Sequence, residues 1–167
     1  MTCLSDAELS TVYAAGFSSF TITNGIARAD LNINISTYTE IDSMKLGYWN
    51  NGGGMGWDQD WTNVILGGSA SDPTQDLLLT GIYIEAKFTN IDNPATRTLD
   101  YVRFGTPDIN GKVSATFNSF TGDVGGTTYT RQNLGATSIT AQNNKEFYIE
   151  LSRTGGFSFY WEDATIP

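Results

Sequence analysis

The sequence predicts an all-β fold, an antiparallel β-sandwich or jelly roll, with one short helix at the N-terminus. Apolar residues recur with period two from residue 17 onward, and glycine-rich turn signals separate the alternating runs. A helical period occurs only in the first 16 residues. The connections between runs are too short for a crossover helix, so we expect antiparallel pairing throughout. The length of 167 residues fits one domain with a sizeable core.

The N-terminal helix is predicted by a capping box, Ser5-Asp6-Ala7-Glu8. Its serine hydroxyl accepts a bond from the N3 amide, while the glutamate reaches back to the N-cap amide. Leu9, Val12 and Tyr13 follow at helical spacing, and Gly16 provides a terminator. A helix of about ten residues does not persist alone in water, so it must dock on its own domain or on a neighbour.

We divide the chain into an N-terminal docking segment, residues 1–22, and a β-sandwich domain, residues 23–167. The apolar residues of the segment are expected to make assembly contacts: Leu4, Leu9, Val12, Phe17, Phe20 and Ile22. One mechanism is that the segment leaves its own domain and adds a strand to the open edge of the next subunit. Such donor-strand pairing uses main-chain hydrogen bonds for affinity and side-chain pockets for register.

Half-buried strands follow in order, each as a run in which apolar and polar residues alternate. The main runs are residues 31–35, 41–48, 82–88, 99–104, 113–117, 147–151 and 157–161. The apolar phase slips between Ile41 and Met44, which predicts a bulge or bend near Asp42. Asn110-Gly111 predicts a tight hairpin turn after the strand that ends near Phe104. A second glycine-containing turn, at residues 154–156, is expected to join the last two strands.

Composition excludes several kinds of site. The chain has no histidine and a single cysteine, Cys3, which removes Ser-His-Asp and Cys-His catalysis, histidine-bound zinc, and haem or iron–sulfur ligation. A net charge of −9 argues against a nucleic-acid partner, because phosphates need clustered Lys and Arg. The sequence has no run of 18 apolar residues, so we expect no membrane span.

The sequence opens without a signal peptide, since Met1-Thr2-Cys3-Leu4 leads directly into polar residues. Two interpretations stay open: a cytosolic protein, or an exported protein whose leader has been removed. The Thr/Gly/Asn-rich, Lys-poor composition favours the second. We therefore predict an extracellular or outer cell-surface location.

The most unusual segment, residues 48–61, places four aromatic residues around a glycine-rich loop. They are the candidate ligand or interface residues: Tyr48, Trp49, Trp57 and Trp61. Aromatic faces stack on sugar rings or anchor protein interfaces. The alternative is that Trp49 and Trp61 close the ends of the core, which leaves Trp57 as the exposed ring.

Four aspartates near this segment are candidate calcium ligands: Asp58, Asp60, Asp72 and Asp76. Calcium prefers hard oxygen ligands and takes about six to eight of them. The spacing does not match the EF-hand loop. The alternative is that these side chains cap turns with their own oxygens. Calcium is the one cofactor that the sequence suggests.

An enzyme is not predicted, although a glycosidase needs only two suitably spaced carboxylates. The candidates on strands are Glu85, Glu146, Glu150 and Glu162. The first three alternate with apolar residues, so we expect them on the outward, solvated face of the sheet.

The string Leu4-Ser5-Asp6-Ala7-Glu8-Leu9-Ser10-Thr11-Val12 resembles the opening of FilA-like, putative pilus-system exported proteins of Gram-negative bacteria. Short similar stretches lie at residues 33–35, 46–48, 56–61 and 156–159. The resemblance implies export and a surface or fibre-associated role. It assigns no catalytic or binding residue.

The sequence therefore predicts an exported cell-surface structural or interaction protein, a pilus- or fibre-associated subunit that assembles with itself or with a surface-assembly system. The alternative is a calcium-assisted carbohydrate-binding module that binds glycans with its loop aromatics.

Overall fold

A computed structural model describes residues 19–50, 55–68, 72–141, 144–154 and 156–166. These residues form strands, turns and loops, and none of them belongs to a helix. No helix able to cross a membrane occurs in this part of the chain. The helix predicted after the capping box lies outside the described residues and stays a prediction.

The described residues contain thirteen strands hydrogen-bonded into one large mixed sheet. They are β1 (Ser19–Thr23), β2 (Ile26–Asp30), β3 (Asn34–Thr37), β4 (Thr39–Asn50), β5 (Met55–Leu66), β6 (Leu77–Thr80), β7 (Tyr83–Thr89), β8 (Thr98–Thr106), β9 (Asp108–Val124), β10 (Thr127–Gln132), β11 (Gly135–Ala141), β12 (Phe147–Ser152) and β13 (Phe157–Trp161). The main path runs β1-β2-β7-β8-β12-β13-β9-β5-β4. Strands β10 and β11 pair with β9, while β6 pairs with β3 and β9. The all-β class is confirmed, whereas the sandwich or jelly-roll arrangement stays a prediction.

One described strand pair is parallel, which contradicts the expectation of antiparallel pairing throughout. Strand β13 runs parallel to the end of β9, with Phe159 opposite Gly122 and Trp161 opposite Val124. Three strands, β10 to β12, separate the two along the chain, so the return to β9 needs no crossover helix. A Cβ atom at Gly122 would lie 1.8 Å from the carbonyl oxygen of Phe159. This close approach of two backbones therefore requires glycine.

The longest strand, β9, is the centre of the sheet. Successive parts of it pair with β6, then with β5 and β11, and finally with β10 and β13. The hairpin predicted at Asn110-Gly111 is wrong, because both residues lie inside β9. Strand β8 pairs with β7 and β12 instead of β9. Gly111 has a φ of 132°, and a Cβ atom there would lie 3.0 Å from the Leu77 side chain, so the strand continues through a position that favours glycine.

The bulge predicted near Asp42 is not seen as a register shift in the β4–β5 pair, which stays in register from Thr39 opposite Leu66 to Asn50 opposite Met55. Ile41 pairs with Val64, Met44 pairs with Trp61, and all four pack in or against the core. Between the two pairs, Asn63 of β5 has a left-handed φ of 51°. The register shift at this point lies on the other side of β5, in its pairing with β9 between Thr62 and Ile65.

Aromatic rings from β5, β9 and β13 form the centre of the core. Trp61 is 1% exposed, and its ring centroid lies 4.8 Å from those of Phe117 and Phe159. Phe120 and Trp161 lie further out, 6.0 and 6.5 Å from Trp61. The assignment of Trp61 to a ligand or interface surface is therefore wrong. The alternative, that this ring closes an end of the core, is nearer to the structure, in which Trp61 lies among the central core rings.

One buried polar side chain, Gln59, connects three elements beneath this core. Its amide nitrogen donates to the carbonyl oxygens of Thr121, at 2.6 Å, and Phe157, at 2.8 Å. Its amide oxygen accepts a bond of 3.0 Å from Trp61 Nε1. All of its principal hydrogen-bonding groups are thus satisfied within the protein.

We expect Gln59→Ala to lower the free energy of unfolding by about 1–3 kcal/mol, because it leaves buried polar groups without partners. Urea unfolding followed by circular dichroism measures this loss. The control is Gln132→Ala, at an exposed glutamine of β10. Equal stability of the two variants would show that Gln59 does not tie the strands together.

Candidate interaction surface and ligand groove

One face of the sheet carries two rows of apolar side chains that cross six neighbouring strands. The first row is Phe20, Ala29, Ile84, Phe104, Ile149 and Phe159. The second row is Ile22, Ala27, Ala86, Val102, Leu151 and Phe157. Residues directly opposite each other on paired strands project to the same side, so both rows lie on one face.

The two rows are covered at one end and open at the other. At the covered end, Ile149, Phe157 and Phe159 belong to or pack against the core. Toward the other end, five large side chains keep 40–64% of their surface exposed. We call these residues the open apolar face: Phe20, Ile22, Ile84, Phe104 and Leu151. A contiguous apolar patch on a polar, acidic chain is typical of an interaction site.

The open apolar face reaches an edge of the sheet. Strand β1 ends the strand order, and in the described residues it pairs only with β2. Such an edge presents unpaired main-chain N–H and C=O groups that another strand is able to use.

The structure places two of the predicted assembly residues on this face. Phe20 and Ile22 lie in β1, opposite Ala29 and Ala27 of the same chain. The domain boundary predicted after residue 22 therefore falls inside a strand of the sheet. The other predicted assembly residues lie outside the described residues: Leu4, Leu9, Val12 and Phe17.

The opposite face of the same strands carries a ladder of alternating charge. Arg28, Glu85, Arg103 and Glu150 lie side by side on β2, β7, β8 and β12. The charged atoms of neighbours are 3.7, 3.5 and 2.8 Å apart in that order. Glu85 is 8% exposed, so it is not the solvated residue that the sequence predicted. Arg28 and Arg103 flank the Glu85 carboxylate and balance its negative charge.

Tyrosines flank this ladder. The guanidinium of Arg28 lies 3.7 Å from the ring centroid of Tyr83, and that of Arg103 lies 4.3 Å from the ring of Tyr148. The Tyr83 hydroxyl donates a 2.7 Å bond to Glu146. Burial, followed by this bond, raises the pKa of Tyr83, and burial raises the pKa of Tyr148 to about 12.

We expect stability to fall as the pH rises from about 10 through about 12. A phenol whose pKa is raised in the folded state holds its proton more tightly there, so its contribution is complete below the ordinary pKa and disappears above the raised one. Tyr148→Phe should reduce this alkaline loss, as measured by urea unfolding at stepped pH. Tyr48→Phe, at an exposed ring, is the control. Identical pH profiles for Tyr148→Phe and the wild type would contradict the assignment.

A groove of about 410 Å³ lies beside the paired strands β4 and β5. Its lining residues are Tyr48, Trp49, Gly56, Trp57, Asp60, Ser119 and Arg131. The rings of Tyr48 and Trp57 meet edge to face, with centroids 5.2 Å apart. The guanidinium of Arg131 lies 4.6 Å from the Trp49 ring centroid. Three of the four aromatic candidates are therefore brought together, and Trp61 is not among them.

Sequence reasoning missed two residues of this groove. Ser119 lies on β9 and donates a 2.7 Å bond to the carbonyl oxygen of Trp57. Arg131 lies on β10, and it reaches Asp58 as well as Trp49. Both residues are distant in sequence from residues 48–61, and no local pattern connects them to that segment.

Two buried polar atoms in the groove lining have no hydrogen-bond partner. They are Trp49 Nε1, a donor, and Asp60 Oδ1, an acceptor. No other buried side-chain nitrogen or oxygen of the described residues is known to lack a partner. Leaving such an atom unpaired lowers the stability of the fold by about 1–3 kcal/mol.

Two of the four candidate calcium ligands are occupied by protein groups. Asp58 accepts a 2.9 Å bond from the backbone N–H of Phe157 and lies 3.4 Å from Arg131. The Oδ2 atom of Asp60 lies 3.0 Å from Lys45 Nζ. The Asp58 carboxylate therefore fixes β5 against β13, and neither aspartate sits in a free loop.

The other two candidates lie before β6. Asp72 caps its own turn by accepting 3.0 Å bonds from the amide and the hydroxyl of Thr74. Asp76 accepts a bond from the Ser36 hydroxyl. The described part of the chain holds no group of three or more acidic or cysteine side chains arranged for a metal ion. The four aspartates stay candidate calcium ligands, and the turn-capping alternative fits Asp72.

Comparisons of this chain with protein-family models, with curated proteins and with solved structures gave no match. The resemblance of residues 4–12 to FilA-like, putative pilus-system proteins therefore stays a prediction. What the fold and its surfaces define is an all-β protein with one mixed sheet, an open apolar face and a separate aromatic groove.

Proposed function

We propose that this protein is an exported structural or interaction protein that assembles with copies of itself through the open apolar face. The observation that carries the proposal is the exposure of five large apolar side chains on one sheet face, next to β1, which among the described residues pairs only with β2. In an isolated monomer this apolar surface would stay in contact with water. Burying it against a partner would lower the free energy.

A second copy is the partner that the surface chemistry fits best. The two rows contain no charged residue, and the nearby charges of Arg28, Glu85, Arg103 and Glu150 project to the opposite face. Contact between two such faces therefore avoids repulsion between two acidic chains of net charge −9. A two-fold axis presents the same rows on both copies, and pleated faces pack about 10 Å apart.

The predicted β-sandwich or jelly-roll arrangement is part of this proposal. The rings of Phe159 on β13 and Trp61 on β5 pack 4.8 Å apart, which supports two packed layers. Strands β1, β2, β7 and β8 continue the rows beyond the covered end. A neighbouring copy would supply the missing second layer over these four strands.

Export and attachment to a surface fibre or pilus-like system complete the proposal. They are supported by the Thr/Gly/Asn-rich, Lys-poor composition and by the resemblance of the N-terminal string. No enzymatic activity is part of it.

Multi-angle light scattering on the full chain tests the proposal. We expect the wild type to scatter as multiples of 18.2 kDa that grow with concentration. Ile84→Lys and Phe104→Lys, both at exposed positions of the open apolar face, should give folded monomers. The matched control is Tyr38→Lys, at an exposed aromatic residue outside the two rows, and it should assemble like the wild type.

Two results would overturn the proposed partner. One is a wild type that stays monomeric at every concentration. The other is undiminished assembly in both lysine variants. If the wild type is monomeric and only the chain lacking residues 1–18 assembles, the chain's own N-terminal segment covers the face instead.

A further inference from the structure

We infer that the interior of the fold holds a binding site for a compact, uncharged hydrocarbon group. The site is a cavity of about 240 Å³ beside the Trp61 ring. Native protein interiors contain few voids larger than a water molecule, so a cavity of this size is unusual for a core. None of the described residues that line it belongs to the open apolar face, so the inference does not depend on self-assembly.

The lining of the cavity selects the class of ligand. Fourteen described residues line it, and every one of them is Ile, Leu, Val, Met, Phe or Trp. The indole N–H of Trp61 is already bonded to Gln59. A buried water needs about two to four polar partners, and this lining does not supply them. A charged group would lose its hydration there without gaining a partner. An apolar group, in contrast, gains free energy by moving from water into this space.

The volume of the cavity sets the size of the ligand. A dry cavity of about 150 Å³, lined by leucine, isoleucine and phenylalanine, takes up benzene or xenon. The cavity in this protein is larger, at about 240 Å³, so we expect room for a group of one or two rings. An α-helix with its side chains is about 10–12 Å across, so a helix of a partner protein does not fit. We therefore assign the site to a small molecule.

Aromatic rings form one wall of the cavity. Trp61 and Trp161 are 1% and 2% exposed, and their ring centroids lie 4.8 Å from those of Phe159 and Phe147, respectively. Phe147 and Trp161 are directly opposite each other on β12 and β13, so paired strands hold this wall in place. Ring faces and edges pack well against a second ring. The wall is thus formed before a ligand arrives.

The opening of the cavity lies on the side of β4 and β12. Five of the seven half-buried lining residues are on these two strands, Ile41, Met44 and Leu46 on β4 and Phe147 and Ile149 on β12. Strand β4 ends the strand order, and three strands separate it from β12, so the two are not hydrogen-bonded to each other in the described sheet. A small molecule that enters between them breaks no strand pair, and the flexible Met44 side chain is able to move aside.

Equilibrium dialysis of the full chain against naphthalene tests the inference. We expect saturable binding of one naphthalene molecule per chain. Naphthalene-1,5-disulfonate carries the same two rings with a charge at each end. It should not bind, because at least one charge would have to enter the apolar cavity.

Two substitutions on β4, Ile41→Trp and Leu46→Trp, should fill the cavity. Each adds an indole ring at a half-buried lining position and should weaken naphthalene binding by about tenfold or more. The matched controls are Ile35→Trp and Leu78→Trp, at exposed positions of β3 and β6, and they should bind like the wild type. Phe104→Lys, on the open apolar face, should also bind like the wild type.

Circular dichroism shows whether each variant is folded. If the tryptophan variants do not fold, Leu46→Phe adds a smaller ring at the same position and should weaken binding by about threefold. Absence of saturable naphthalene binding to the wild type would overturn the inference. Binding that survives both cavity-filling variants would also overturn it, and its loss in Phe104→Lys would then place the probe on the open apolar face.

Discussion

Replacing Gly122 by alanine is expected to prevent the chain from folding. The added Cβ atom would lie 1.8 Å from the carbonyl oxygen of Phe159, well inside contact distance. That oxygen belongs to the backbone of β13 at its parallel pairing with β9, so no side-chain rotation relieves the clash. Moving β13 away would withdraw Phe159 and Trp161 from the core. We expect insoluble protein, or soluble protein without the far-ultraviolet circular dichroism of a β-sheet.

Gly126→Ala is the matched control for this substitution. The φ of Gly126, 82°, is unfavourable for alanine, but an added Cβ atom there would meet nothing within 4 Å. We expect a folded protein that loses about 1–2 kcal/mol, the usual cost of a left-handed conformation. A Gly122→Ala variant as stable as Gly126→Ala would contradict the pairing of β9 with β13.

Trp61→Ala is expected to cost about 3–5 kcal/mol, a large part of the total stability of a typical domain. The substitution removes the ring that contacts Phe117 and Phe159 at 4.8 Å and leaves a cavity among strands that cannot close on it. It also leaves the amide oxygen of Gln59 without its donor. Urea unfolding followed by circular dichroism measures the loss.

Trp61→Phe and Phe104→Ala separate the causes of this effect. The first keeps a ring but removes the donor to Gln59, so it should cost less than Trp61→Ala. The second deletes a ring of similar character from an exposed site, so it should change stability little in the monomer. If Trp61→Ala lowered the free energy of unfolding no more than Phe104→Ala, the placement of Trp61 in the core would be contradicted.

Period-two alternation predicted all or part of six strands, β4, β7, β8, β9, β12 and β13, and the faces of several of them. The predicted run at 31–35 only overlaps β3, because residues 31–33 lie in no strand, and the remaining strands match none of the main runs. The run at Ile82, Ile84, Ala86 and Phe88 lies on or beside β7, and two of its residues, Ile84 and Ala86, form part of one apolar face. Alternation is a property of a single strand, however, and it does not say which strands become neighbours. The two apolar rows therefore emerge only from the pairing of six strands.

Long-range pairing also explains the errors. Asn110-Gly111 has the composition of a hairpin turn, but Asn110 pairs with β6, Gly111 pairs with β11, and β9 continues through both residues. Trp61 stands beside a glycine-rich loop in sequence, yet its pairing with Phe117 of β9 places the ring in the core. Arg131 completes the groove from a strand about 70 residues further along the chain, a contact that no local pattern encodes.

The measurement that tests self-assembly through the open apolar face most directly uses a nitroxide spin label at residue 84. The label is attached to Ile84→Cys in a Cys3→Ser background, and electron paramagnetic resonance spectra are recorded on the assembled protein. Ile84 lies near the middle of the open apolar face, so labels on two copies should be close enough for dipolar coupling. The same label at Tyr38→Cys, outside the two rows, is the control.

We predict a spectrum that is broadened at residue 84, narrow at residue 38, and sharpened when labelled protein is diluted with unlabelled protein before assembly. A narrow spectrum at residue 84, in a sample that light scattering shows to be assembled, would mean that the open apolar face does not join the copies.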